Sequence, residues 1–460
     1  MNVSFFDKRI ESFDNLLNQI TFIFSYLSDQ FKSMEKFRET LVTAFALFSL
    51  FFGAGNLILP PQLGFKSGGL WWLVALGFCL SAVLIPVLGI LAHARLQGTI
   101  YDFGKKVSPS FSLFYALSVY AIAISLPSPR TAAVTHEMGI QPFFDSSSVM
   151  TSMVYFALVL VFVLNRATIL NIIGKLLTPA IILILLVIIG TTLFSFDFNF
   201  GETGFPHPLS HGILEGYQTF DAIGAVVVGG VIIISINLKK EDAPYREKKI
   251  LISRAGWLAG LGLFFIYAGL IVTGALLHDQ FEAGISRTSL LKGLSIKTLG
   301  NSANLFLSIL VSLACFTTAV GIVTGTADFI RSRFSDSRLA YRITALIGCV
   351  LGVLMGQFNV GYIIAVAIPA LMFIYPITIV LILLNVLPEN LVPPGVFKWV
   401  ILGTIIFSIP DFLGSIGFGE SVVSVQNWIP LSNFSMGWVL PALIIFIVSN
   451  VIDKNNVTIK

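Results

Sequence analysis

From residue 41 to residue 451 the chain alternates long apolar blocks with short polar turns. Blocks of about 17–25 residues, the length a bilayer demands of a helix, fall at 41–60, 70–92, 111–135, 149–165, 170–194, 212–238, 252–277, 303–330, 340–357, 360–386, 396–415 and 432–451. A helix satisfies its backbone N–H and C=O groups internally, so it can cross a medium without water. The pattern predicts an all-α membrane protein with about 12 transmembrane helices.

Composition agrees with the pattern. Of 460 residues, 56% are hydrophobic and 11% charged, with a mean hydropathy of +0.89; a soluble domain carries roughly 25% charged residues. The net charge of +4 matters less than its placement. With the N-terminus in the cytoplasm, the inside segments hold Arg95, Lys105, Lys106, Arg166, Lys175, the cluster LKKEDAPYREKKILISR and Arg331, Arg333, Arg338 and Arg342. Lys66, Arg287, Lys292 and Lys297 are then left outside, the asymmetry that the positive-inside rule describes. It requires six spans before residue 239 and puts both termini in the cytoplasm. Residues 1–33 stand apart. They read either as a short amphipathic segment on the membrane surface or as the product of a misassigned start, with Met34 opening the protein. Residues 34–460 form a single transmembrane domain.

Several chemistries are excluded. Cys79, Cys315 and Cys349 lie in apolar runs and form no CxxC pair. No GxxxxGK[ST] motif occurs, which argues against transport driven by ATP hydrolysis in this chain. HEMGI at 136–140 lacks the second His of a zinc-protease helix, and GxSxG is absent, so an enzyme is not expected.

The first block contains a contradiction. In ALFSLFFGAGNLILPP, residues 45–60, Gly53, Gly55 and Asn56 sit about midway through a span, with Pro60 and Pro61 close behind. Such residues weaken a helix. One reading is an unwound segment whose free carbonyls suit a cation and whose free N–H groups suit a carboxylate; the other is close helix packing through small residues. The sixth block opens with EGYQTFDAIGAVVVGG, residues 215–230, which places Asp221 and Gly224 inside a span. Interruptions at matching positions point to two inverted five-helix repeats, about 41–194 and 212–386, with helices at 396–451 added. In span eight, Thr317 and Thr318 offer two hydroxyls either to a hard cation or to carbonyls one turn back. In span three, Arg130 and Glu137 would share a helical face if the helix is continuous. Arg130 then serves as a gate or substrate-path residue, or snorkels to the interface. Asp221 reads as a cation ligand, a proton carrier, a gate partner or a helix cap.

Taken together, FALFSLFFGAGNLILPPQLG, PSPRTAAVTHEMG, IGKLLTPAIIL, EGYQTFDAIGA, LACFTTAVGIVTG and PALMFIYPITIVLIL resemble the LIVCS family of bacterial branched-chain amino acid:cation symporters. These are the BrnQ-type carriers of the amino acid–polyamine–organocation superfamily. The resemblance runs from about residue 36 to 450. It implies Na⁺-driven import of leucine, isoleucine and valine across the bacterial inner membrane, on a LeuT-like 5+5 fold with helices 1 and 6 broken. Gly53, Ala54, Gly55 and Asn56 would receive the substrate carboxylate, and Tyr217, Phe220 and Asp221 would border the substrate. Ser49, Phe52, Ala314, Thr317 and Thr318 would hold Na⁺, the only cofactor implied. Residues 1–33 and the span-six ending IIISINLKK depart from the family pattern. The partners implied are a small amino acid and the lipid bilayer, not nucleic acid. The residues themselves leave open proton coupling through Asp221, another neutral solute, or a receptor on the same scaffold.

Overall fold

The structure, a computed structural model, describes residues 34–165, 177–300 and 303–458; residues 1–33 lie outside the described residues. Within these, all regular structure is helical. Residues 34–51 form α1, followed by α2 (Ala54–Ser67), α3 (Trp71–Cys79), α4 (Ile85–Leu96), α5 (Pro109–Ser125), α6 (Pro127–Val134), α7 (Ser148–Leu164) and α8 (Thr178–Ser195). The second half holds α9 (Pro208–Tyr217), α10 (Asp221–Lys239), α11 (Tyr245–Leu276), α12 (Arg287–Leu299), α13 (Ala303–Arg333), α14 (Arg338–Gly356) and α15 (Val360–Val386). Two more, α16 (Pro394–Leu413) and α17 (Val439–Thr458), close the chain.

Where its residues are described, each expected apolar block falls largely on helix, and residues 170–176 of the fifth lie outside the described residues. Among the described residues, nine helical stretches are long and apolar enough to cross a membrane, and Ser148–Leu164 and Val439–Asp453 are shorter apolar helices. One of the nine, Ala54–Leu96, fuses the second half of block one to block two.

Both expected interruptions are present. Phe52 and Gly53 leave the helical conformation between α1 and α2, with Gly53 extended at φ −112°, ψ −161°. A three-residue turn, Gln218–Phe220, separates α9 from α10, and Phe220 takes the left-handed conformation at φ +65°. Gly55 and Asn56 lie inside α2, so the first break is shorter than the GAGN stretch suggests. Pro60 and Pro61 in α2 lack N–H groups. The carbonyls of Asn56 and Leu57, four residues earlier, therefore lose their helical donors.

The two broken helices run antiparallel. Glu39 of α1 pairs with Lys240 just beyond α10 at 2.7 Å, while Asn56 of α2 meets Asp221 at the start of α10, also at 2.7 Å. Each broken helix lays its second half on the second helix of the other repeat: α2 on α11, and α10 on α4. This exchange is what two inverted, interlocked five-helix units produce. Burial follows: 83% of the apolar window of Pro208–Lys239 is buried inside the protein, against 33% for Pro394–Gln426. The broken helices are the core, and the last two helices are peripheral.

The α2–α11 seam depends on backbone-to-backbone approach. A Cβ added at Gly64 would lie 1.8 Å from the Ile271 carbonyl oxygen, and one at Gly274 would lie 2.0 Å from that of Pro61. Close approach through small residues is how helices associate where burying apolar surface gains nothing. Replacing Gly64 with Val should force the seam apart and cost about 1–3 kcal/mol, the usual range for overpacking, read as a lower melting temperature in detergent. Gly190→Ala, where an added Cβ would meet nothing within 4 Å, should leave that temperature unchanged.

Candidate functional site

At the α1–α2 break the local chemistry is set by Asn56. As the third residue of α2 it reaches back, and its Oδ1 accepts the Gly53 N–H at 3.1 Å. This caps a helix start that has no water to rely on. Its amide is thereby oriented, and Nδ2 donates to Asp221 Oδ2 at 2.7 Å. The Tyr267 hydroxyl donates to the same oxygen at 3.0 Å and also meets Asn56 Nδ2. Asp221, 2% exposed, is thus a buried carboxylate held by donors from α2 and α11. At the second break the Thr219 hydroxyl accepts the Asp221 N–H at 3.1 Å, and the Tyr375 hydroxyl accepts that of Ala222 at 3.1 Å.

A cavity of about 30 Å³ lies between the breaks, lined by Gly53, Ala54, Asn56, Phe220, Asp221 and Thr318 among the expected residues, with Arg130, Thr131 and the apolar Ile223, Val227 and Ile322. Such a space holds a water molecule or two and is far smaller than an amino acid. Admitting one requires the helices around it to part.

One turn before the break, carbonyls and hydroxyls converge. Thr317 Oγ1 donates to the Ser49 carbonyl at 2.8 Å and to that of Ala314 at 3.0 Å, and it accepts the Ser49 hydroxyl at 3.1 Å. Thr318 Oγ1 donates to the Leu50 carbonyl at 3.3 Å. Thr317 thus bonds back along its own helix, as one reading of the Thr pair expects, and also across to α1. Ser49, Ala314, Thr317 and Thr318 are gathered together. Phe52 lies in the break, its ring stacked between Phe48 at 5.3 Å and Tyr267 at 6.0 Å. Among the described residues no group of three or more His, Cys, Asp or Glu could hold a metal ion. The oxygen-rich, uncharged cluster suits a hard monovalent cation rather than a transition metal.

Two expectations change, for Tyr217 and Glu137, and one of the two alternatives for Arg130 closes. Tyr217 does not border the cavity; its ring stacks on Tyr375 at 4.3 Å, one face away. Glu137 does not share a face with Arg130. The third span breaks at Leu126 and widens into a π-helical turn over Thr135–Ile140. Glu137 is thereby carried to the start of α15, where it accepts the Val360 N–H at 3.1 Å and lines a separate cavity of about 500 Å³. Arg130 does not snorkel: it is 3% exposed, donates from Nη1 to the Gln218 carbonyl at 2.7 Å and lies 5.2 Å from the Phe220 ring centroid.

Sequence reasoning missed Tyr267, Tyr375 and the cover over the second break. There Arg287 of α12 pairs with Glu215 at 2.6 Å and donates to Gln218 Oε1 at 3.0 Å. A signal existed for Tyr267, since a tyrosine in an apolar span must find a partner for its hydroxyl.

The family described as "Branched-chain amino acid transport protein" matches residues 36–456. The branched-chain amino acid transport system 2 carrier protein of Pseudomonas aeruginosa is 33% identical, covering 90% of this chain and 96% of that one. The branched-chain amino acid permeases BraB of Bacillus subtilis and BrnQ of Corynebacterium glutamicum are 31% and 30% identical, over 88% and 91% of this chain and 94% and 96% of theirs. In fold, the chain is similar to a Na⁺-coupled sialic acid symporter (TM-score 0.55, 14% identity, 89% of this chain and 90% of that one). It is likewise similar to a manganese transporter of Eremococcus coleocola (TM-score 0.55, 13% identity, 90% and 94%).

Tyr267→Phe removes one of the donors to a buried carboxylate. It should lower stability by about 1–3 kcal/mol, seen as an earlier thermal transition of the purified protein. Tyr362→Phe, whose parent residue is 49% exposed, should melt with the unaltered protein.

Proposed function

The chain belongs to the branched-chain amino acid transport protein family, and we propose that it imports leucine, isoleucine and valine together with Na⁺ by alternating access. The observation that carries the coupling ion is the convergence of the Ser49 and Leu50 carbonyls on the Thr317 and Thr318 hydroxyls. Neutral oxygens of this kind replace the water shell of Na⁺ without requiring a fixed anion. Na⁺ is cargo here, bound and released in each cycle. The substrate is supported by the family and by what the cavity offers: polar groups at the two breaks beside a wall of Ile223, Val227 and Ile322. A zwitterion with a branched hydrocarbon tail requires both.

The distribution of basic residues supports an orientation with the N-terminus in the cytoplasm. In this orientation Glu39, Lys240 and Glu247 lie on the cytoplasmic side. Lys240 joins Glu39 at 2.7 Å and Glu247 at 3.0 Å beside a cavity of about 260 Å³ between residues 35–46 and 232–240. The Glu215–Arg287 pair closes the opposite side. Opening each side in turn separates α1 from α10, or α9 from α12.

Asp221 favours one rival, proton coupling, because a buried carboxylate at the break can carry a proton. Proteoliposomes decide between them. Uptake of labelled leucine should follow an inward Na⁺ gradient and be indifferent to an imposed pH gradient; the reverse result rejects the Na⁺ assignment. Thr318→Ala should raise the Na⁺ concentration for half-maximal uptake roughly 3–10-fold, the equivalent of about one hydrogen bond, while leucine binding at saturating Na⁺ is retained. Unchanged Na⁺ dependence would remove Thr318 from the ion site.

A further inference from the structure

The central cavity has charged side chains of both signs in its wall, Arg130 and Asp221, and they are not spent on each other. Asp221 is held by Asn56 and Tyr267. Arg130 is 3% exposed, its Nη1 donates to a neutral carbonyl, and its Nε has no hydrogen-bond partner among the described residues. A buried guanidinium with unused donors is costly in a membrane interior, and such donors fit a carboxylate bidentately. Position 55 allows this placement: a Cβ there would lie 2.5 Å from Arg130 Nη2, so only glycine lets the guanidinium lie against the start of α2. The geometry points to Arg130 as the receptor for the substrate's α-carboxylate, with Asp221 across the cavity taking the α-ammonium.

This rests on the reading that the substrate is an amino acid, and it reassigns the carboxylate. The N–H groups of residues 53–56 cannot all serve it, because Asn56 Oδ1 already accepts that of Gly53. Arg130 supplies the missing donors from the third span. The assignment also joins recognition to closure. Arg130 Nη1 binds the Gln218 carbonyl, and Gln218 Oε1 accepts from Arg287, which pairs with Glu215. A carboxylate on Arg130 therefore sits at the base of the chain of contacts that shuts one side. The selectivity that follows is for molecules bearing both charges on one carbon: an amine alone or an acid alone leaves one buried charge unmatched.

The test pairs ligand truncation with substitution in the full chain, purified in detergent at saturating Na⁺, with ligand affinity read from the ligand-induced rise in melting temperature. Leucinamide lacks the carboxylate, and 4-methylpentanoate lacks the ammonium. The unaltered protein should bind leucine on the order of 10–100-fold more tightly than either, as charge-assisted hydrogen bonds in a buried site imply. In Arg130→Gln the leucine-to-leucinamide ratio should collapse toward one while the leucine-to-4-methylpentanoate ratio survives; Asp221→Asn should do the opposite. Arg130→Lys, a point charge without the planar fork, should reduce the first ratio several-fold, and it serves if the Gln variant does not fold. An unchanged leucine-to-leucinamide ratio in either Arg130 variant overturns the assignment, as does an equal loss of both ratios, which would mark a merely structural role. Should the unaltered protein answer to another α-amino acid and not to leucine, the branched-chain reading fails, and the same ratio taken with that amino acid and its amide still judges Arg130.

Discussion

Two helices that stop halfway across a membrane must have their exposed backbone groups satisfied without water, and the Asn56–Asp221 contact is where this protein meets that demand. Asn56 caps its own helix through Gly53 and holds the carboxylate that opens the partner helix. Thr219 and Tyr375 accept the first N–H groups of α10. The freed backbone groups at each break are thus met by side chains of the same repeat, and the Asn56 amide then ties one break to the other. Neither interruption would be stable alone in lipid, and the fold is the arrangement in which each completes the other.

That mutual completion keeps polar groups costly enough to be useful. Phe220 holds a left-handed conformation that disfavours an aromatic residue by about 1–2 kcal/mol, and it does so with its ring beside the Arg130 guanidinium. The Asp221 carboxyl group is 2% exposed. Around a cavity of about 30 Å³ these groups are held close and away from bulk water, so each interaction is stronger than it would be in water. The same tightness means no amino acid can enter without separating the broken helices from their neighbours. Binding and conformational change are then one event, which an alternating-access carrier needs and a rigid receptor does not.

How much of this could be read from the chain follows from what each feature depends on. The spans were legible because apolar length is a local property. The break at Gly53 was legible because Gly and Asn weaken a helix wherever they occur, and the second break because Asp221 stands out in an apolar block. Tyr217 was misjudged for the opposite reason. Its side is decided by the turn at Gln218–Phe220, where Phe220 is left-handed, and by Tyr375, on which its ring stacks. Glu137 was separated from Arg130 by one π-helical turn, a shift in register that residue spacing cannot reveal. The Arg287–Glu215–Gln218 cover joins residues about 70 positions apart and exists only in the folded protein.

The fold itself does not select a cargo, since similar architecture occurs in a sialic acid symporter and in a manganese transporter. Selection must lie in side chains at the breaks. The described residues gather no set of His, Cys, Asp and Glu for a transition metal; they gather hydroxyls, carbonyls and two opposite charges flanked by aliphatic walls. Thr318 matters most here because it belongs to both parts: its hydroxyl reaches the Leu50 carbonyl in the proposed ion site, and it also walls the cavity against Gly53, where an added Cβ would fall 2.8 Å from that hydroxyl. An ion drawing the Thr318 hydroxyl and the nearby carbonyls inward would fix the end of α1 and, with it, the geometry of the break that the amino acid meets. Coupling would then need no long-range signal, because ion and substrate would share one threonine and one turn of helix.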